Sequence, residues 1–299
     1  MYIATNTHIL VAEFDYVEPT TLEEVFWHLS EHGPQARLIA GGTDLLVQMK
    51  MERKNPACLI SLARVLELQG MTSNSGLTVG ATASIRSLAR SEPIGRHYTA
   101  LAEACNAFST IPIMVMATLG GNLCNASPAA DTAPPLLAFD ASVALVSRAG
   151  QRVVPLEDFF LGPGQTALRH DEVLRSVHLA ESVRGAGSAF VKVARVAADI
   201  SQVCAAVRVV RDGDHVIDCR IALGAVAPTP VRAHRAEAFL TGQRPDRGRV
   251  DDAARIAGED TKPITDVRAT QEYRRHASRV IVRDALTTAW LRAGGRELK

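Results

Sequence analysis

Two adjacent glycines, Gly41 and Gly42, separate an apolar segment from a predicted helix start in ARLIAGGTDLLVQMK (residues 36–50). The apolar residues before them are typical of a buried strand, and Thr43 and Asp44 after them suit a helix start. Glycine adopts backbone angles that side chains forbid and lets another molecule approach the main chain closely. Such a turn directs several N–H groups one way, which is chemistry for binding phosphate or pyrophosphate. The alternative is a tight turn without a ligand.

A second glycine-rich segment, ATLGGNLCNASPAADTAPPLLAFDA, covers residues 117–141. Neither segment has the glycine spacing of a Rossmann turn or of a P-loop. A dinucleotide with a long linker, such as FAD, has a diphosphate and a ribityl chain that need several backbone donors, and two loops could clamp it from opposite sides. Asn122 and Asp131 are candidates for hydrogen bonds to ribityl or ribose hydroxyls. The alternative for Asp131 is a charge that stabilises a helix N-terminus.

The elements that must position these loops are predicted from periodicity and end signals. An amphipathic helix is predicted for PTTLEEVFWHLSEHG, in which Thr21 and Glu24 form a capping-box pattern and Gly33 suits the end. Strands are predicted for ACLISLA and GLTVGATASI, a helix for HYTALAEACNAF, and a hairpin for SVALVSRAGQRVVPLEDFF. This mixture with short connections indicates an α+β arrangement.

The pattern changes near residue 183. Three strands are predicted for SAFVKVA and VCAAVRVVRDGDHVIDCRIALGAVAP, with Asp212 and Gly213 as the hairpin turn. Three helices close the chain, and Asp266 is the expected N-cap of the last one. Because SVRGAG is typical of a linker, we predict one domain over residues 1–178, split into two subdomains near residue 58, and a second over residues 184–299.

The composition of the chain excludes several classes of function. The chain has 299 residues, of which 47% are hydrophobic, and its 33 basic residues nearly balance 32 acidic ones. No basic tract interleaved with aromatics is present, so nucleic-acid binding is not expected. No apolar run has membrane-spanning length, no signal-peptide pattern is visible, and the expected location is the cytoplasm. The five cysteines contain no C-x-x-C pair, so neither zinc nor an iron–sulfur cluster is expected in this chain.

The two glycine segments together resemble the FAD-binding, or medium, subunit of the molybdenum hydroxylases, the family of xanthine and carbon monoxide dehydrogenases and aldehyde oxidoreductases. The resemblance continues through DFFLGPGQTAL, DEVL, AFVKVARVAADIS and DVRATQEYRR, in order along nearly the whole chain. It implies a PCMH-type FAD-binding domain with the vanillyl-alcohol-oxidase-like fold. A C-terminal domain with a three-stranded antiparallel sheet and a helix bundle is expected to follow it.

Position by position, the resemblance implies a set of cofactor-binding residues. The first loop would wrap the diphosphate of FAD through Ile39, Ala40, Gly41, Gly42, Thr43, Asp44 and Leu45. The second loop would comprise Thr118, Gly120, Gly121 and Asn122, with Asp131 at the ribityl or ribose region. Phe108 would offer an aromatic face to the adenine, Leu174 would pack near the isoalloxazine, and Lys192 would approach the flavin pyrimidine edge. The alternative for Phe108 is a phenylalanine of the hydrophobic core, and the alternative for Lys192 is a solvated surface lysine, neither of which would contact FAD.

The sequence departs from the family pattern before the second loop. Many relatives have Ile-Arg-Asn there, whereas this chain has Met114 and Val115. Many also carry a second basic residue where Val196 follows Arg195. The first departure leaves open how the second loop is braced.

The resemblance implies an electron-transfer flavoprotein subunit without catalytic acid–base residues of its own. Its partners would be a large subunit with the molybdopterin cofactor and a small subunit with 2Fe-2S clusters, in a dimer of heterotrimers. Electrons would pass through FAD to NAD or another acceptor. The alternatives are a self-sufficient FAD-dependent oxidoreductase with the same fold, and a scaffold subunit without flavin.

Overall fold

The first subdomain contains a small parallel sheet. In the computed structural model, which describes residue 10 and residues 12–298, three strands pair in the order β1-β3-β2. They are β1 (Asp15–Val17), β2 (Ala36–Ile39) and β3 (Cys58–Ser61), and the helices between them are α1 (Leu22–His32) and α2 (Leu45–Lys50). The strand that begins at residue 58 belongs to this sheet, so a split between the two predicted subdomains would follow β3 at Ser61.

Helix α1 begins and ends where its sequence predicts. The Thr21 hydroxyl accepts a hydrogen bond from the Glu24 N–H, and the Glu24 carboxylate accepts one from the Thr20 N–H. Gly33 ends the helix with a φ of +50°, a conformation that favours glycine. The buried face carries Val25, which is fully buried in a core shared with the first sheet. The helix therefore holds the strand that leads into the first glycine loop.

The second subdomain is built on an antiparallel sheet in the order β4-β5-β10-β6-β7. Its strands are β4 (Met71–Thr72), β5 (Leu77–Gly80), β6 (Ser142–Ser147), β7 (Gly150–Pro155) and β10 (Val173–Leu179). A two-stranded sheet joins β8 (Phe160–Gly162) and β9 (Gln165–Thr166). The helices are α3 (Ile85–Ala89), α4 (Glu92–His97), α5 (Thr99–Asn106), α6 (Ile111–Met116), α7 (Leu119–Asn125), α8 (Ala133–Ala138) and α9 (Leu156–Phe159).

The C-terminal sheet has one more strand than predicted. It consists of β11 (Ala186–Val193), β12 (Val203–Asp212), β13 (His215–Gly224) and the added two-residue strand β14 (Val231–Arg232), all antiparallel. Asp212 pairs with His215, so the hairpin turn lies at Gly213 and Asp214, one residue later than predicted. Gly213 takes a φ of +56°, which explains why glycine opens the turn.

The three predicted C-terminal helices are α10 (His234–Leu240), α11 (Arg247–Glu259) and α12 (Gln271–Arg292). The N-cap of α12 is Thr270, which accepts a bond from the Tyr273 N–H, so the prediction of Asp266 was wrong. The Asp266 carboxylate instead accepts bonds from the Arg268 N–H and from the buried Arg274 guanidinium. Burial opposes the charge, but these hydrogen bonds prevail and lower the pKa of Asp266 to about 2.

The C-terminal sheet is buried on both faces. Along β12, Cys204 and Ala206 join the core of the second subdomain, while Ala205 and Val207 join the core formed with α10, α11 and α12. Alternation of side chains along a strand sends successive residues to opposite faces. The division into domains at residues 178 and 184 remains a prediction. No helix of the described residues is both long and apolar enough to cross a membrane.

Candidate cofactor-binding site

A cavity of about 440 Å³ brings the two glycine loops together. It is lined by residues from both subdomains, including thirteen of the fifteen predicted site residues. These are Ile39, Ala40, Gly41, Gly42, Thr43, Asp44, Leu45, Phe108, Thr118, Gly120, Gly121, Asn122 and Leu174. The remaining two, Asp131 and Lys192, are not in its wall.

The first loop presents a run of free backbone donors. Within the described part of the chain, the five N–H groups of residues 41–45 have no hydrogen-bond acceptor, whereas the Leu46 N–H binds the Gly42 carbonyl as helix α2 begins. Gly42 has a φ of +71°, a backbone conformation that is strained for residues with a side chain. Unpaired donors at a turn before a helix suit an anion with several oxygens. This is the arrangement that the sequence predicted for the first loop.

Gly41 is required by contact with the second loop. A Cβ atom at this position would lie 1.9 Å from the Met116 carbonyl oxygen, so only glycine lets the two backbones meet here. A second link runs between the helices that follow the loops, because the Gln48 amide donates to the Asn125 side-chain oxygen at 3.3 Å. The two loops are therefore positioned by each other.

The second loop differs from the first, because most of its own N–H groups are occupied. Those of Leu119 and Gly120 donate to the carbonyls of Ala83 and Ala81, at 3.0 and 2.8 Å. The Thr118 hydroxyl caps α7 by accepting from the Gly121 N–H at 3.1 Å. Among the described residues, Thr118 is the one member of the predicted second loop whose N–H has no acceptor, so the prediction that this loop supplies backbone donors rests on that group. The contribution of this loop to the cavity is a closely packed wall.

Small residues build that wall. A Cβ on Gly120 would lie 2.7 Å from the Cβ of Ala81, so glycine allows α7 to pack against the turn after β5. The Asn122 side-chain oxygen accepts from the Thr132 hydroxyl at 2.6 Å. This bond fixes the amide and directs its NH₂ group away from Thr132.

The bracing left open by the departure from the family pattern comes from Met114 and the main chain. Met114 is buried, and α6 packs on α3. At the end of α6 the Ala117 carbonyl accepts from the Ile85 N–H at 2.9 Å. Thr118 forms an isolated bridge with Ser84. An apolar anchor and backbone bonds therefore hold the loop, and Val115 is exposed.

Asp131 and Lys192 bind each other instead of facing the cavity. The Lys192 ammonium lies 2.6 Å from one Asp131 oxygen and donates to the Ala107 carbonyl, while the Ser201 hydroxyl donates to the other Asp131 oxygen at 2.5 Å. Both side chains of the ion pair are 6% exposed. Burial raises the pKa of the Asp131 carboxyl group, and the contacts with Lys192 and Ser201 oppose that rise.

This ion pair nevertheless touches the neighbours of the cavity wall. Ala107 precedes Phe108, which is half-buried in the wall. Thr132, which follows Asp131, holds Asn122. The pair thus supports the wall from outside the cavity, a position that sequence reasoning did not foresee.

Sequence reasoning missed the segment that closes the cavity from the side of β10. Arg169 and His170 line it and are exposed. The segment is held by Glu172, a buried carboxylate that accepts two 2.7 Å bonds from Arg152 and one from the Arg169 N–H. The bond from Arg152 is the main reason that the pKa of Glu172 is lowered. The sequence did offer a signal for this segment, because ALRHDEVL contains several charged residues close to Leu174, which was already a predicted cofactor-binding residue.

The other charged lining residues are Arg37, Lys54 and Asp44. With Arg169 they place three basic side chains around the cavity, against the carboxylates of Asp44 and Glu172, of which Glu172 is already paired with Arg152. Desolvation raises the pKa of Asp44. The balance of charge favours an anionic ligand. Among the described residues, no group of three His, Cys, Asp or Glu side chains is placed to hold a metal.

Both halves of the chain match known families. Residues 12–181 match the FAD binding domain in molybdopterin dehydrogenase, and residues 188–289 match the CO dehydrogenase flavoprotein C-terminal domain. The chain is 32% identical over 285 residues to the xanthine dehydrogenase FAD-binding subunit of Escherichia coli O157:H7, covering 94% of this chain and 97% of the relative. It is 31% identical over 280 residues to the carbon monoxide dehydrogenase medium chain of Hydrogenophaga pseudoflava, covering 93% and 98%.

Solved structures agree with these sequence matches. A chain of the carbon monoxide dehydrogenase from Hydrogenophaga pseudoflava superposes with a TM-score of 0.92 at 32% identity, covering 95% of this chain and 99% of that one. A chain of quinoline 2-oxidoreductase from Pseudomonas putida 86 gives a TM-score of 0.89 at 30% identity, with 94% and 98% covered. The chain therefore belongs to the FAD-binding medium subunits of the molybdenum hydroxylases, the family of the xanthine and carbon monoxide dehydrogenase medium chains.

Proposed function

We propose that this chain binds one FAD non-covalently in the cavity between its glycine loops and carries electrons through it. The observation that supports this most is the run of five N–H groups at residues 41–45 in the cavity wall, which have no acceptor among the residues that the structure describes. A diphosphate has enough oxygens to accept from them, and the nearby basic side chains match its charge. When bound, FAD supplies redox chemistry that no side chain of the protein has.

The wall residues receive proposed roles that follow their surroundings. Residues 41–45 hold the diphosphate, the amide of Asn122 donates to a ribityl or ribose hydroxyl, and Phe108 offers its ring to the adenine. Leu174, which is buried at the start of β10, packs near the isoalloxazine. We assign Asp131 and Lys192 an indirect role, because their bonds fix the neighbours of Phe108 and Asn122.

As a subunit, the chain would work with partners that hold the other redox groups. We propose a large subunit with the molybdopterin cofactor and a small subunit with 2Fe-2S clusters, assembled as a dimer of heterotrimers in the cytoplasm. The carbon monoxide dehydrogenase of Hydrogenophaga pseudoflava supports the first of these, since its structure is described by the state of its molybdenum cofactor. The acceptor would be NAD or another small oxidant.

Acid precipitation of the purified chain tests the cofactor. FAD should appear in the supernatant, because the site offers hydrogen bonds and packing rather than a covalent link. Flavin that stays with the precipitate, or FMN in place of FAD, would contradict the proposal.

Activity tests the role as a subunit. The isolated chain should exchange electrons with NADH or artificial acceptors but should hydroxylate no purine or aldehyde. Expression together with its partners should yield a complex that contains molybdenum, iron and FAD. Turnover of an organic substrate by the isolated chain at about one per second or faster would favour a self-sufficient oxidoreductase instead.

A further inference from the structure

The cavity has one wall that the glycine loops do not hold in place. The two loops position each other through the contact between Gly41 and Met116. Residues 166–172, here called the flap, form the wall on the side of β10, and five of these seven residues line the cavity. The tip of the flap, residues 169–171, is exposed. Among the described residues, no hydrogen bond joins this tip to any residue outside the flap, so the ends of the flap determine where it lies.

One side chain joins the two ends of the flap. The Arg152 guanidinium donates to the Ala167 carbonyl at 2.6 Å and, through two 2.7 Å bonds, to the Glu172 carboxylate. The same carboxylate accepts from the Arg169 N–H at 2.8 Å, which connects the tip to this end. The Glu172 side chain is 5% exposed, so without Arg152 it would be buried without a counter-charge. Arg152 is not among the residues that line the cavity, and it therefore acts on the flap from behind the wall.

The register of the sheet puts Arg152 within reach of the flap. Arg152 on β7 lies opposite Leu145 on β6, and Leu145 lies opposite Leu174 on β10. Directly opposite residues on neighbouring strands point to the same face of a sheet. Arg152 therefore extends across β6 on the face that carries Leu174, and it meets Glu172 two positions before that leucine. A change at Arg152 would thus alter the surroundings of the residue that we place near the isoalloxazine.

We propose that the flap is the gate through which FAD enters and leaves the cavity, and that Arg152 is the positioning residue that keeps this gate closed. The inference rests on the proposed function, in which the cavity holds FAD. Without Arg152, the Ala167 N–H would keep its bond to the Phe159 carbonyl, but the Glu172 end would lose its anchor. The donors of residues 41–45 would stay in place, because no hydrogen bond of the described residues connects them to the flap. Loss of Arg152 should therefore open the tip and raise the rate of FAD release.

The rate of FAD release from the purified holoprotein tests this gate. Released FAD is trapped by an excess of a second apoflavoprotein, and the loss of bound flavin is followed by the change in flavin fluorescence. Arg152→Gln should release FAD about tenfold faster than the wild type or more, because one partner of a buried charge pair is lost. At saturating FAD, its visible flavin spectrum should also differ from that of the wild type, which a loss of stability alone would not cause.

A charge removed elsewhere on the same hairpin is the control. Arg148, in the turn between β6 and β7, forms an exposed ion pair with Glu23, so Arg148→Gln should leave the release rate unchanged. A wild-type release rate and spectrum in folded Arg152→Gln would overturn the inference.

Variants of Glu172 show whether Arg152 acts through that carboxylate. The double variant Arg152→Gln, Glu172→Gln contains no buried carboxylate without a counter-charge at this position, so it should fold even if Arg152→Gln does not. It should release FAD faster than the wild type, but no more than about twofold faster than the faster single variant. A double variant that released FAD at the wild-type rate, or whose effect was the product of the two single effects, would overturn the inference.

Hydrogen exchange in the FAD-free chain gives a measurement that needs no flavin. The Arg169 N–H has the Glu172 carboxylate as its one acceptor among the described residues, so it should exchange about fivefold faster or more in Arg152→Gln. The N–H groups of β12 should exchange as in the wild type. Unchanged exchange at Arg169 would overturn the role of Arg152, whether or not the chain binds FAD. A wild-type chain that binds no FAD would refute the proposed function, and the gate with it, even if exchange at Arg169 responded as expected.

Discussion

Replacement of Gly41 by alanine tests how the first loop is positioned. Its Cβ would lie 1.9 Å from the Met116 carbonyl oxygen, whereas such contacts in proteins are essentially never shorter than 3.0 Å. The oxygen belongs to backbone that α3 and α7 hold, so the loop has to move by about 1.1 Å to reach that limit. A shift of this size moves the N–H groups of residues 41–45 out of hydrogen-bonding range of a bound diphosphate.

The expected loss of affinity follows from those donors. A hydrogen bond to a charged group is worth about 1.5–3 kcal/mol, so losing one of the five weakens FAD binding by about 10- to 150-fold. Losing two would multiply these factors. The rest of the fold should persist, because the loop borders the cavity and the three larger cores do not include it.

Flavin fluorescence provides the assay. FAD is titrated into apoprotein of the wild type, of Gly41→Ala and of Gly95→Ala, and thermal unfolding is followed for each. Gly95 lies in helix α4 with no atom within 4 Å of an added Cβ, so its replacement should not change the dissociation constant. If Gly41→Ala bound FAD as tightly as the two controls, contact between the loops would not be what positions the donors.

Three further outcomes are expected. Asp131→Asn leaves the Lys192 ammonium buried without a counter-charge and should lower the free energy of unfolding in urea by about 3–5 kcal/mol. Asp199→Asn, which removes the counter-charge of the exposed Arg195 side chain, is the control and should lower it far less. Because the folded state lowers the pKa of Asp266, its charge stabilises the fold above pH 4 and this contribution is lost as the pH falls to about 2. Asp266→Asn should therefore cost about 2 kcal/mol at pH 7, and in urea titrations this difference from the wild type should shrink steadily as the pH falls from 4 towards 2. Arg169→Gln should weaken FAD binding about two- to fivefold at low salt and less at high salt; an effect independent of salt would contradict an electrostatic role.

The sequence predicted the first loop well because its signals are local. A glycine pair after a buried strand and before a helix defines a turn with free N–H groups, and the structure has that turn. The second loop looked equivalent, yet the N–H groups of Leu119 and Gly120 donate to the carbonyls of Ala83 and Ala81, almost forty residues earlier. Contacts between residues so far apart in the chain do not change the local pattern of apolar and polar residues, so a single sequence does not reveal them. Gly121 shows the same limit, since an added Cβ would meet the Thr118 hydroxyl at 2.9 Å rather than open space for a ligand.

Competing local signals account for other differences. Asp266 and Thr270 are both residue types that favour the N-cap position of a helix. Which of them caps α12 depends on Arg274, because its guanidinium donates a hydrogen bond to the Asp266 carboxylate in the folded chain. Strand β14 has two residues, too few to show alternation. The resemblance to the family placed Lys192 at the flavin, and its ion pair with Asp131, 61 positions away, could not be identified from the sequence.

The Asp131–Lys192 ion pair also limits how the chain can be recombined. Family boundaries between residues 181 and 188 invite exchange of the two halves between relatives, as if they were independent modules. Yet one member of the pair comes from each half, and Phe190 and Cys204 of the second half are packed into the core of the first. A chimaera must therefore keep both Asp131 and Lys192, and its C-terminal sheet must pack on the first half as it does here. Without one of the two charges, the other would be buried without a counter-charge between the two halves. The two halves of a working chain should therefore come from the same parent protein.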